Sequence, residues 1–307
     1  MTQQDSNAKH HTQQRDAAAG NTAPTQRKPK KFWILSDLHQ EFPEFAWKPE
    51  TIPEHDALIL AGDIHVPSAS AIDYAETLTD KPVFMVAGNH EYYNQDWNLM
   101  IGEARERAAR SPNVTFLEDD HVMLDDVHIL GCTLWTDFQL FPSYPKENVV
   151  FLCERGMNDY RAIKRRGETS GRRRRIRPEH TLARHQASRK FLETEMEFLR
   201  MARKIGQEKE QDPSATSPSS PTEKIIVITH HAPLFECVNP EFAHDILSAA
   251  YASNLNDLIE REQPDLWVFG HTHISLDIRH GKTRIVSNAK GYGSQNPLFS
   301  PSRVVEI

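Results

Sequence analysis

The 307-residue chain carries 36 Lys and Arg against 43 Asp and Glu, a formal charge of -7, with 38% hydrophobic residues. That balance excludes bulk attraction to nucleic acid or an anionic membrane; any such contact has to be local. Three cysteines, Cys132, Cys153 and Cys237, share no CxxC spacing, which excludes a disulfide framework and a thiolate metal site and fits a reducing compartment.

Residues 1–29 are rich in Gln, Ala, Thr and Asn without periodicity and read as a disordered tail. No apolar stretch has the form of a secretory signal or the length of a spanning helix, so a cytoplasmic protein is expected. From residue 30 to 307 a single domain is expected. KFWILSD (31–37), ALILAGD (57–63) and PVFMVAGN (82–89) are apolar runs of strand length, each closed by a turn signal. Between them and after them lie helix-like stretches at 68–80 and 94–110. Such alternation indicates an α/β fold with strands buried on both faces. Residues 114–131 read as short strands joined by acidic turns.

Next comes an insertion, 142–204. It holds a Pro-flanked loop, an Arg-rich stretch KRRGETSGRRRRIR (164–177) and a long helix from about 178 to 204. Residues 207–222 form a low-complexity loop. EKIIVITHH (223–231) and DLWVFGHTH (265–273) are two further strand-like runs, and 274–291 reads as a hairpin turning near His280-Gly281.

Five strand-like runs end in residues able to bind metal: Asp37 and His39, Asp63, Asn89, His230, and His271 with His273. Ligands of α/β folds gather at the carboxyl ends of strands, so five such ends suggest one convergent site. Carboxylate, amide oxygen and imidazole without thiolate suit Mn, Fe or Zn. Seven candidates exceed the needs of one ion. Two divalent ions would keep positive charge beyond what Asp37 and Asp63 return, which suits holding a phosphate. Taken singly, the Asp and Asn residues fit strand-end turns equally well. The two histidines of GHTH could share one ion or serve two.

The ordered set D-x-H (37–39), G-D (62–63), G-N-H-E (88–91), H (230) and G-H-x-H (270–273) resembles the calcineurin-like metallophosphoesterases over roughly residues 31–290. The resemblance implies a four-layer α/β/β/α sandwich of two mixed β-sheets flanked by helices. It implies two divalent metal ions, one held by Asp37, His39 and His273, the other by Asn89, His230 and His271, with Asp63 bridging. It favours His230 over the adjacent His231 as ligand. A metal-bridging hydroxide would attack a phosphomonoester or phosphodiester, and His90 would assist the leaving group. Glu91 is assigned to support of the loop.

Asn158, Asp159, Tyr160 and His231 are candidate substrate contacts, the first three because they lie in the insertion. The resemblance implies that the insertion forms a lid over the metals. His65 has a lesser claim as a substrate contact against that of a surface loop residue, and Asp137 could orient a ligand. The Arg-rich stretch leaves a nuclease as an alternative, although an acidic chain makes nucleic acid a less favoured partner than a small phosphate ester. A non-catalytic scaffold of the same fold would be expected to lose ligands, and this chain retains all of them.

Overall fold

The computed structural model describes residues 28–166, 172–210 and 223–307. The expected tail up to residue 27, the tip of the Arg-rich stretch (167–171) and most of the low-complexity loop (211–222) lie outside the described residues. The first half of the chain alternates strand and helix: β1 (Lys31–Leu35), β2 (Ala57–Ala61), α1 (Ser68–Glu76), β3 (Val83–Val86), α2 (Met100–Ala108) and β4 (Val114–Leu117). A hairpin follows, β5 (Asp120–Leu124) and β6 (Val127–Cys132). The insertion contains α3 (Lys146–Gly156), α4 (Asp159–Ala162), β7 (Lys164–Arg166), β8 (Arg173–Arg175) and α5 (Pro178–Glu210). The last part comprises β9 (Lys224–Thr229), α6 (Asn256–Glu262), β10 (Leu266–Phe269), β11 (Ser275–His280), β12 (Thr283–Asn288) and β13 (Val304–Glu306).

Two mixed sheets result. In the first, ordered β13-β1-β2-β3-β4, all neighbours run parallel except β13. In the second, ordered β11-β12-β10-β9-β6-β5, the inner four strands are parallel and each edge strand is antiparallel. The uninterrupted apolar runs have a simple cause. Along β2, Ala57, Ile59 and Ala61 join the core between the sheets, while Leu58 and Leu60 join the core under the helices. Ile226 and Ile228 alternate in the same way with Ile225 and Val227 on β9. Both faces of each sheet are covered, so neither face needs polar residues.

The helices cover the outer faces with apolar residues at helical spacing: Met100, Ala104 and Ala108 on α2, and Leu192, Met196 and Leu199 on α5. The four-layer α/β/β/α architecture is thus the one the motif set implies.

Three local readings change. The helix expected over 94–110 starts only at Met100, because Asn94 adopts a left-handed conformation and Trp97 N–H bonds to Lys164 O at 2.8 Å. The long helix continues to Glu210, into the segment read as loop. The Arg-rich stretch is a two-stranded ribbon, pairing Lys164 with Arg175, Arg165 with Arg174 and Arg166 with Arg173. Helix α5 belongs to the core rather than to a lid.

Truncating the central inter-sheet residue, Ile59→Ala, is expected to cost roughly 2–5 kcal/mol, since the surrounding layers cannot collapse into the void. Urea unfolding checks it, and a loss under about 0.5 kcal/mol would contradict the layered packing.

Candidate metal centre

The seven expected ligands converge at the carboxyl ends of β1, β2, β3, β9 and β10. Ligand atoms of Asp37, His39 and His273 lie within 4.8 Å of one another, as do those of Asp63, His230 and His271. Asn89 joins the latter group, its Oδ1 being 3.0 Å from His230 Nε2. Asp63 faces both: Oδ1 is 3.4 Å from His230 Nε2 and Oδ2 is 3.9 Å from His39 Nε2. His271 and His273 therefore separate, one into each group. They do so without an extended backbone, for His271 and His273 have φ of 68° and 50°. Asp37, His39 and Asp63 are also left-handed, at 54°, 48° and 55°. Non-glycine residues avoid this region, and its use by five site residues marks strain held by the surrounding fold.

Glu91 supplies much of that hold. Its buried carboxylate accepts hydrogen bonds from Asp63 N (3.0 Å), Ile64 N (2.7 Å), His65 N (3.3 Å) and Gly88 N (2.7 Å), pinning the β2 and β3 ends together. The loops come so close that a Cβ on Gly88 would lie 2.0 Å from Asp63 Oδ1.

Outer hydrogen bonds fix the imidazoles. Nδ1–H of His230 donates to Ala61 O (2.8 Å), and that of His273 to Gln295 Oε1 (2.7 Å). His39 Nδ1 faces Glu41 Oε1 at 3.3 Å. Each bond leaves Nε2 as an inward acceptor, and Nε2 of His39 and His273 stand 3.1 Å apart. Two lone pairs facing each other beside a carboxylate suit a cation between them. The buried His271 Nε2 and Glu41 Oε2 have no partner among the described residues. The donor set therefore fits divalent ions. Asn89 is oriented likewise, its amide N–H donating to Asp159 Oδ1 at 2.8 Å so that Oδ1 turns inward.

Burial lowers the proton affinity of His39 and of His230, each to about 4, so both are neutral and able to ligate near neutral pH. Burial also lowers His271 strongly. On His273 burial acts downward too, but the hydrogen bond to Asp37 and that group's charge raise it. Asp63 is raised by burial and by the nearby charges of Glu91 and Asp37, a cost that a bound cation would relieve.

Several expected contacts move. Asp159 is buried and orients Asn89; it does not line the cavity over the centre. Tyr160 is buried and its hydroxyl meets Thr181 Oγ1 at 3.1 Å, away from the cavity. His231 lies behind His271, bonded to Thr133 O at 3.1 Å and packed on Trp135. Asn158 does line the cavity. His65 Nδ1 accepts from Val66 N, and Asp137 accepts from Gln139 N; neither lines the cavity.

The sequence reading missed Glu41 and three tyrosines. Glu41 Oε1 is 2.7 Å from His90 Nδ1, and His39, Glu41 and His90 form a third ligand-like group. Tyr93, Tyr251 and Tyr292 stack on His90, His271 and His39, with centroids 4.3, 4.5 and 4.4 Å apart. Glu41, two residues beyond His39, carried a local signal. Tyr93 follows His90 by three residues in GNHEYY, whereas Tyr251 and Tyr292 lie far from the histidines they stack on and had no local signal.

Residues 30–275 match the family model described as calcineurin-like phosphoesterase. The chain belongs to the calcineurin-like phosphoesterases. A curated relative, an uncharacterized protein of Acanthamoeba polyphaga mimivirus, is 24% identical over 270 residues, covering 81% of this chain and 83% of that protein. Among solved structures, a phosphopantetheinyl hydrolase from Mycobacterium tuberculosis superposes with a TM-score of 0.64 at 17% identity, covering 91% of this chain and 96% of that one. That likeness is one of fold. The family is metal-dependent, and this member is a metal-dependent hydrolase of phosphoesters. Among the described residues no helix is long and apolar enough to cross a membrane.

In the metal-free protein, the His39 and His230 rings are expected to stay neutral as pH falls past 6.5 and to take up protons only near 4. An NMR titration of the ring protons reads this directly, and midpoints near 6.5 would contradict the burial.

Proposed function

We infer that the protein is a dinuclear phosphoesterase acting on a small phosphate ester. The observation that carries the reading is the pair of ligand groups sharing Asp63, one carboxylate oxygen toward each. Asp37, His39 and His273 would hold one divalent ion, Mn, Fe or Zn, and Asn89, His230 and His271 the other. When bound, such a pair supplies a Lewis-acid clamp on the phosphoryl oxygens and a water activated near neutral pH.

The chain's own residues account for the rest. Hydrolysis adds the water oxygen to phosphorus, breaks the ester P–O bond and delivers a proton to the departing alkoxide. His90 is suited to deliver it. Nδ1 is held by Glu41, while Nε2 lies 3.9 Å from Asp63 Oδ2 and 3.2 Å from the Tyr292 hydroxyl, at the cavity. Glu41 positions the ring by holding Nδ1, which leaves Nε2 turned to the cavity. The stacked tyrosines restrict water around the histidines and keep the rings in place.

A nuclease is the second reading, supported by a groove of about 670 Å³ lined by Arg155, Arg161, Arg174, Arg175 and Arg177. It shares no lining residue with the cavity over the centre, which residues 156–158 line between Arg155 and Arg161.

A metal-supplemented panel of monoester, diester and oligonucleotide substrates tests both readings. Asp63→Asn is expected to abolish metal-dependent turnover in a protein that still folds by circular dichroism; near-full activity would sink the proposal. Glu41→Gln is expected to lower kcat by roughly 10- to 100-fold with little change in KM. A change confined to KM would rule out Glu41 as the group that positions His90.

A further inference from the structure

Past the candidate ligands, the cavity of about 430 Å³ is walled chiefly by two segments, 156–158 and 238–251. They are packed tightly together, for a Cβ on Gly156 would lie 2.6 Å from Leu247 Cδ2. Met157, Val238, Phe242 and Leu247 give the walls an apolar surface. Asn158 and Asn239 add amides, and Asp245 adds a carboxylate. No lysine or arginine lines the cavity among the described residues. Arg155 and Arg161, the nearest in sequence, line the second groove instead.

The polar groups are directional. Asn239 Oδ1 accepts from Glu241 N at 3.0 Å, and Asn158 Oδ1 from Arg161 at 3.1 Å. Each amide is therefore left with its NH₂ to offer. The Tyr251 hydroxyl, also at the cavity, has no partner among the described residues, and its ring stacks on His271. Donors on an apolar wall suit carbonyl and amide oxygens. Asp245 is exposed and keeps its charge at the cavity rim, so a second phosphate or a carboxylate there would meet like-charge repulsion, screened by solvent, that no lysine or arginine of the lining offsets. The positive charge of the centre is already engaged by the reacting phosphate.

We propose that the substrate is a phosphate ester whose alcohol portion is an uncharged, amide-bearing arm lying against the wall that 156–158 and 238–251 form together, and that Asp245 disfavours anionic arms. This rests on the dinuclear phosphoesterase reading.

Two synthetic substrates of equal length test it. Both are phosphoethanolamine N-acylated with a four-carbon arm, one ending in a primary amide and the other in a carboxylate. With the full chain reconstituted with Mn²⁺, kcat/KM is expected to favour the amide by about fivefold, mainly through KM. In Asp245→Asn, where the new amide can still cap Leu247 N, the ratio is expected to fall below about threefold. The ratio is internal to each variant, so a general loss of activity does not disturb it. Equal efficiencies, or a preference for the carboxylate, in the unaltered protein overturn the proposal. An unchanged ratio in Asp245→Asn overturns the role of Asp245. p-Nitrophenyl phosphate serves as an arm-free control. Its metal-dependent hydrolysis without discrimination between the arms defeats this inference alone; no hydrolysis of any of these compounds defeats the phosphoesterase reading with it.

Discussion

The centre depends on one buried carboxylate that faces no substrate. Glu91 accepts four backbone N–H groups from the ends of β2 and β3, and so decides how closely those loops approach. Strand-end N–H groups at this depth would otherwise lack partners, at a cost of about 1–3 kcal/mol each. Burial raises the proton affinity of Glu91, while the bonds from Ile64, Gly88 and Asp63 oppose that rise. From this clasp follow the place of Asp63, the bond from His90 N to Asp63 Oδ1 at 2.9 Å, and the presentation of Asn89.

The same economy governs Asp37. Its carboxylate takes the His271 N–H at 3.0 and 3.1 Å, so a β1 residue fixes the loop after β10 across the gap between sheets. Both carboxylates of the candidate centre are thus structural acceptors as well as charge carriers. Left-handed backbone at Asp37, His39, Asp63, His271 and His273 aims these side chains where regular strand ends would not, and the cross-loop bonds offset the strain.

The layers and the ligand set were legible because both depend on local patterns. Apolar runs such as KFWIL and IIVIT encode strands covered on two faces, and each is followed directly by its polar residue. The second tier was not legible. Gln295 supports His273 and Asp159 supports Asn89 across 22 and 70 residues, through contacts that no spacing announces. Within the insertion, tertiary packing that composition does not announce draws α5 into the core and pairs Arg165 with Arg174 and Arg166 with Arg173 in a ribbon. Proximity in sequence says nothing of direction at a strand end, where neighbouring side chains diverge: His230 turns to Asn89 and His231 to Thr133 O.

Asp37 and His273 stand 3.3 Å apart at their closest atoms, yet more than two-thirds of the chain separates them. Such closure is among the last and slowest events in building a fold. During synthesis, the residues of β1, β2 and β3 leave the ribosome long before the GHTH segment that completes both groups. Until then each group lacks a donor, His273 in one and His271 in the other. A metal ion would therefore reward the finished sandwich most, while the first half takes its shape from the Glu91 clasp and the apolar layers.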